Sequence, residues 1–157
     1  MAGRYAHNGS KLFQSIVLLF SILISSCAMP RIIVLDDPLS PEEHLNLGVT
    51  YEAKKEFDLA IKQYKMAMKG DTEARALFYT GNAYFEKGDA GEAERYYKKA
   101  IDRDPKLADA YNNLAYLYAK EKRNLREAEE LINKAIALNP SKESAYRDTL
   151  REIKGLQ

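Results

Sequence analysis

From residue 41 to residue 154, apolar side chains recur at the spacing of buried helix faces rather than strands. Ala93, Tyr97, Ala100 and Ile101 stand at i, i+4, i+7 and i+8, and Ala60, Tyr64, Ala67 and Met68 repeat that spacing 33 residues earlier. Punctuation falls between such stretches. Ser40-Pro41-Glu42-Glu43 offers an N-cap, a proline in the first turn and a glutamate to close a capping box. Gly88 is placed to end a helix and Asp89 to start the next, with Glu92 three residues on, and Asn124 and Glu127 share that spacing. Asp104-Pro105 and Asn139-Pro140 should stop helices, because a residue before proline is pushed out of the α region.

The helices come in a repeat. Leu47-Gly48-x-x-Tyr51 is followed by Ala60, Tyr64 and Ala67, and Thr80-Gly81-x-x-Tyr84 by Ala93, Tyr97, Ala100 and Pro105. Leu114-Ala115-x-x-Tyr118 is followed by Ala128, Ile132, Ala135 and Pro140. Physically, Gly48, Gly81 and Ala115 are small where the two helices of a unit approach closely, with Ala60, Ala93 and Ala128 facing them. Tyr51, Tyr84 and Tyr118 are expected to fill the volume between units, as large knobs over small holes. The pattern resembles the tetratricopeptide repeat, which runs L-G-x-x-Y, A, aromatic, A and P over 34 residues. That resemblance implies an all-α fold, a right-handed α-α superhelix of three helix-turn-helix units over 41–73, 74–107 and 108–142. Three departures stand out: Thr72 replaces the closing proline of unit one, Thr80 replaces leucine, and unit three has an extra residue around 120–124. Residues 143–157 read as a C-terminal capping helix with Ala145, Tyr146, Leu150 and Ile153 inward and Arg147, Asp148, Arg151 and Glu152 outward.

The first residues change the picture of where this fold works. Residues 1–13 carry Arg4 and Lys11 and no acid, and an apolar run from Ile16 to Ile24 precedes Ser25-Ser26-Cys27, the chain's one cysteine. A basic segment, a short apolar core and small residues describe a signal peptide, here 1–26. Ile24-Ser25-Ser26-Cys27 resembles the bacterial lipobox. The resemblance implies a diacylglycerol thioether on Cys27, cleavage before it and acylation of the new amine, for example by palmitate. Several acyl chains, each contributing about 0.8 kcal/mol per buried CH₂, hold a protein stably at a membrane. Ordinary cleavage after Ala28 and retention of the apolar run as an anchor are the other readings, and all three export the rest of the chain. Ala28 lacks the aspartate associated with inner-membrane retention, which implies the outer membrane, periplasmic side, or the cell membrane in a single-membrane organism. Residues 27–40 would be the acylated cysteine and a tether.

Composition narrows the function. Of 157 residues, 46% are apolar and 30% charged, with a net charge of +1. Losing Arg4 and Lys11 with the leader leaves 22 basic against 23 acidic residues, which argues against a nucleic-acid partner. A single cysteine gives neither a disulfide framework nor a multi-cysteine zinc site. His44 is left as the one histidine and reads as a partly packed first-turn residue; no phosphate loop, metal cluster or catalytic dyad appears, so the expectation is a protein without enzymatic activity or cofactor. The acids lie among lysines at helical spacing and read as solvated faces.

What remains is a surface. The resemblance implies that first helices line a concave groove for peptides, with Leu45, Val49 and Glu52 from unit one. Unit two would present Arg75, Phe78, Tyr79, Asn82 and Phe85, and unit three Asp109, Asn112, Asn113 and Tyr116. Asn82 and Asn113 fall where family asparagines bond a peptide backbone, since an amide both donates and accepts. Phe78, Phe85 and Tyr116 would act as rigid anchors. Leu45, Val49 and Asp109 stand where a carboxylate clamp needs basic residues, so an acidic tail is not the expected ligand. The reading is a lipid-anchored envelope adaptor that tethers partner proteins or peptides, as in pilus-secretin assembly or recruitment of peptidoglycan hydrolases. Alternatives are a self-associating homo-oligomeric scaffold without a peptide client and an accessory subunit that gates an enzyme.

Overall fold

The computed structural model describes residues 37–156. The expected signal segment, Cys27 and the expected tether up to residue 36 lie outside the described residues. Within them the chain forms seven α-helices and two short 3₁₀ turns and no strand. They are α1 Pro41–Ala53, α2 Phe57–Met66, α3 Glu73–Glu86, α4 Ala90–Arg103, α5 Ala108–Lys120, α6 Leu125–Leu138 and α7 Glu143–Gly155. Each helix packs against the next, and α1, α3, α5 and α7 also touch in succession, so the odd-numbered helices make one continuous layer.

Local chemistry sets the boundaries. At the start of α1 the Ser40 side chain accepts from the Glu43 N–H at 3.3 Å, while the Glu43 carboxylate accepts from the Ser40 N–H at 2.7 Å. This reciprocal box satisfies two of the orphan donors of the first turn. Just upstream, Asp37 caps the Leu39 N–H at 3.1 Å and meets His44 Nε2 at 3.2 Å, while His44 Nδ1 lies 2.7 Å from Gln63 Oε1 on α2. The incoming strand of chain is thereby pinned to the first helix pair through a buried histidine. Gly88 takes φ +81° after α3, and Asp89 caps α4 by accepting from the Glu92 N–H at 3.1 Å. Asp104 and Asn139 leave helical geometry before their prolines, with φ near −135° and −137°.

Unit one closes without proline. Thr72 is buried there, and its hydroxyl donates to the carbonyl of Ala67, the C-cap of α2, and to that of Lys69 in the turn beyond. A side chain thus satisfies carbonyls that the helix end would leave open. Asn124 departs from expectation. Its side chain makes no cap bond; the extra residue of this turn puts both Lys122 and Asn124 at φ +50°, and asparagine tolerates that left-handed conformation.

The core is built on rings over glycines. A Cβ added at Gly81 would lie 2.6 and 2.7 Å from two adjacent ring carbons of Tyr97 and 3.3 Å from a third, so the ring face covers the glycine. Tyr64 covers Gly48 in the same way. The rings over the glycines are therefore those of the second-helix tyrosines, while Tyr51 and Tyr84 pack against the cluster shared by units one and two, around Leu45, Ala60 and Ala83. Those two tyrosines are only half-buried; Tyr84 also stacks on Tyr96 at 5.4 Å, and Tyr118 is fully buried in the third unit. Unit three exchanges the pair for Ala115 and Ile132, both fully buried, so a larger small residue is matched by a smaller large one.

The C-terminal helix caps the stack with a shifted face. Tyr146, Thr149 and Ile153 are buried and Ala145 is exposed, because Thr149 finds an acceptor inside: its hydroxyl donates to Asn112 Oδ1 at 3.1 Å. Glu152 is half-buried and pairs with Lys120 at 3.0 Å, whereas Arg147, Asp148 and Arg151 face solvent.

Glu94 is no free surface charge. It accepts from Lys98 Nζ at 2.7 Å, Arg123 Nη2 at 2.7 Å and Tyr118 Oη at 2.9 Å, tying α4 to α5 and the turn beyond it. Burial pushes its pKa up, but the three donors outweigh that and bring it down to about 2.

Two predictions follow from this packing. Gly81→Ala should lower the unfolding free energy by about 2 kcal/mol through overpacking, despite the better helix propensity of alanine. Adding Tyr97→Ile to it, which copies unit three, should return part of the loss, read by urea titration; a neutral Gly81→Ala would contradict the ring seat. Glu94 has its folded pKa below the ordinary 4.5, so its contribution is present above that pH and lost as pH falls toward 2. Glu94→Gln should therefore cost about 1 kcal/mol at pH 7 and almost nothing near pH 2, measured by denaturation at both.

Candidate functional site

The odd-numbered helices place all seven proposed groove residues on one layer: Phe78, Tyr79, Asn82 and Phe85 on α3, and Asn112, Asn113 and Tyr116 on α5. All seven are half-buried. The aromatics meet one another. Tyr79 stacks on Tyr64 at 5.5 Å, Phe78 lies 5.4 Å from Tyr79 and 6.1 Å from Tyr97, and Phe85 meets Tyr116 at 5.7 Å. Lys120 Nζ stands 4.9 Å from the Tyr116 ring centre.

The asparagines form a chain of their own. Asn82 Oδ1 accepts from Tyr97 Oη at 3.0 Å and from Asn113 Nδ2 at 2.9 Å. Asn113 Oδ1 accepts from Asn112 Nδ2 at 3.0 Å, and Asn112 Oδ1 accepts from Thr149. These amides link α3, α4, α5 and α7, and each carbonyl oxygen already has a donor. Asn82 Oδ1 has both lone pairs taken, so beyond amide hydrogens only the second lone pairs of Asn112 and Asn113 are left to a ligand.

The capping helix occupies the inner face of unit three. Asp109 accepts from Tyr146 Oη at 2.7 Å and pairs with Lys142 Nζ at 2.8 Å, next to the bond between Thr149 and Asn112. In unit one Leu45 is 3% exposed and presents nothing, and in unit two Arg75 is taken up by Glu42 of unit one. The open part lies between α1 and α3. There Val49, 44% exposed, with Glu52, Ala53, Lys55, Phe57, Tyr79 and Glu86 lines a hollow of about 410 Å³. Glu52 accepts from Tyr64 Oη at 2.5 Å; burial, joined by the nearby charge of Glu86, lifts its carboxyl above the usual range against that hydrogen bond. Burial also pushes the Tyr64 hydroxyl well up, with Glu52 adding to it.

Val49 and Glu52, which the repeat resemblance places on the first-helix layer, both line this hollow. Ala53, Lys55, Phe57 and Glu86 carry no such expectation, although Val49, Glu52 and Ala53 share i, i+3, i+4 spacing and Tyr79 and Glu86 share i, i+7. Among the described residues no group of three or more histidine, cysteine or acidic side chains could hold a metal ion, and no helix is long and apolar enough to cross a membrane.

Because the Asn82 carbonyl oxygen holds the buried Tyr97 hydroxyl, Asn82→Ala should cost about 2 kcal/mol of stability. Asn112→Ala should cost less, since its acceptor serves a threonine at the chain's last helix. Equal and negligible losses in urea titrations of the two variants would show that the chain of amides carries no structural weight.

The tetratricopeptide repeat family model matches residues 70–108 and 78–143. The ycf37 protein of Pyropia yezoensis is 32% identical over 119 residues, covering 69% of this chain and 66% of that protein. Photosystem I assembly protein Ycf3 of Rippkaea orientalis is 30% identical over 98 residues, 56% of this chain and 57% of that one. The chain thus spans about two thirds or less of the length of these relatives. The TPR2B domain of yeast Sti1, solved as a complex with pHsp70, superposes with a TM-score of 0.69 at 22% identity, over 74% of this chain and 98% of that domain. The chain carries tetratricopeptide repeats, and its fold is the solenoid they build.

Proposed function

We propose that this tetratricopeptide-repeat chain is an adaptor that holds an extended segment of a partner protein on the layer of α1, α3 and α5, at a membrane to which Cys27 ties it. The observation that carries the reading is the asymmetry of that layer. Unit three is closed by α7, while the hollow between α1 and α3 is left open beside exposed Val49. An inner face that is half filled and half vacant suits a short stretch of chain rather than a second globular domain. Tyr79, Phe85 and Tyr116 lie along the same layer as rigid, half-covered contact surface, which costs little side-chain entropy on binding.

The relatives' names point to the kind of work. One of them is a photosystem I assembly protein, and assembly work suits an adaptor kept at a membrane surface. Ile24-Ser25-Ser26-Cys27 supports a lipid anchor, on the periplasmic side of an outer membrane or outside a single one. Tethering raises the effective concentration of adaptor near its client, so a groove of modest affinity is sufficient. Pilus assembly and wall remodelling are members of the same class of task. Tetratricopeptide folds of this kind work by holding proteins rather than by catalysis.

A photocrosslinking side chain tests the groove, installed in the full-length protein at Val49 or at Lys134, which is exposed on α6. Adducts with a partner should form from position 49 and not from 134. Equal yields from both, or adducts only at the mass of a self-dimer, would contradict the adaptor reading, the latter in favour of a scaffold. For the anchor, Cys27→Ser should abolish incorporation of labelled palmitate and slow loss of the leader; labelling that persists would defeat it.

A further inference from the structure

The hollow between α1 and α3 has a composition that selects its occupant. Val49, Ala53, Phe57 and the Tyr79 ring give it apolar walls, and two carboxylates, Glu52 and Glu86, share it. Other acids on the odd-numbered helices are already engaged: Glu42 pairs with Arg75, Glu73 with Arg103, Asp109 with Lys142 and Glu152 with Lys120, and Glu43 is held by the capping box at Ser40. Glu52 is engaged by a neutral hydroxyl alone, and among the described residues no cation lies within 4.0 Å of it or of Glu86. Lys55 lines the same hollow without pairing with either, which leaves the lining one negative charge in excess.

We infer that this hollow seats the side chain of a lysine or arginine from the bound partner segment, its stem against Val49, Phe57 and Tyr79 and its cationic head between Glu52 and Glu86. Each part of such a side chain finds its match. The methylene stem takes cover on apolar walls while the head stays at a wet, charged rim. A tyrosine face adds attraction for a cation. Closing water out around Glu52 strengthens its field on an incoming positive charge. The inference rests on the groove reading given above and adds to it a sign: the partner is basic at this position.

The test uses a positional-scanning library of acetylated peptides, one position fixed at a time, bound to the full-length protein. Pools with fixed lysine or arginine should bind about tenfold tighter at one position than pools with alanine there, and acidic pools should bind worst. The Glu52→Gln, Glu86→Gln double variant should erase that preference and keep the weaker binding set by other positions. Glutamine at 52 still accepts from Tyr64, and an unchanged melting curve verifies the fold. Peptides that bind with an acidic or purely apolar preference, or a basic preference that survives the double variant, would overturn the basic seat and leave the groove standing. Failure of every pool to bind would overturn both. Arg31 is a basic residue of the segment 27–40, and tighter binding after Arg31→Ala would assign the hollow to the chain's own leading segment, while self-association lost in the double variant would assign it to a second copy; either result overturns a partner's basic residue as the occupant.

Discussion

A tyrosine ring laid flat on a glycine is the contact on which the rest of this molecule depends. Tyr97 on Gly81 and Tyr64 on Gly48 bring the two helices of a unit to a separation that any Cβ on the glycine would prevent. Glycine inside a helix costs about 1 kcal/mol relative to alanine, so the arrangement survives only because the ring contact offsets that cost. Unit three reaches the same end with Ala115 and Ile132. The volume of each pair is kept while its members change, the condition that close-packed interiors impose.

From that seat the inner layer follows. Tyr97 holds Asn82 by its hydroxyl, Asn82 holds Asn113, and Asn112 holds the last helix through Thr149. Tyr64 likewise directs its hydroxyl to Glu52 and stacks on Tyr79. The two ring seats therefore do different things beyond packing. One organises a closed polar chain toward the C-terminal cap, and the other positions a carboxylate and an aromatic face beside the open hollow. The asymmetry of the layer is a consequence of what each tyrosine hydroxyl reaches.

Much of this was legible in the residues. The beat of small and large positions, the capping box at Ser40 and the stops before Pro105 and Pro140 each rest on local rules that the tertiary structure had no reason to override. What was not legible depended on pairing across helices. Tyr51 and Tyr64 both stand at plausible distances from Gly48 along the chain, and only the antiparallel packing decides which ring covers it. Asn124 has the right spacing for a cap, but one extra residue in the turn forces it into the left-handed region. Thr149 displaces Ala145 from the buried face because an acceptor on α5 waits for its hydroxyl. The repeat register places Asn82 and Asn113 on first helices, whereas the bonding of the asparagines to one another and to Thr149 is not legible, since it joins residues 31 and 37 positions apart. The hollow was invisible for the same reason: its lining comes from three elements.

The central claim concerns where two rings lie, and proton NMR of the glycine α-protons reads it directly. In Gly48 and Gly81 the α-proton that points at the tyrosine face should resonate well upfield of its geminal partner. Gly70 and Gly88, which would have nothing within 4 Å of an added Cβ, should show no such ring-current splitting. Gly48 and Gly81 proton pairs indistinguishable from those of Gly70 and Gly88 would mean that the rings lie elsewhere, and the account of the helix pairs and of the layer they position would be wrong.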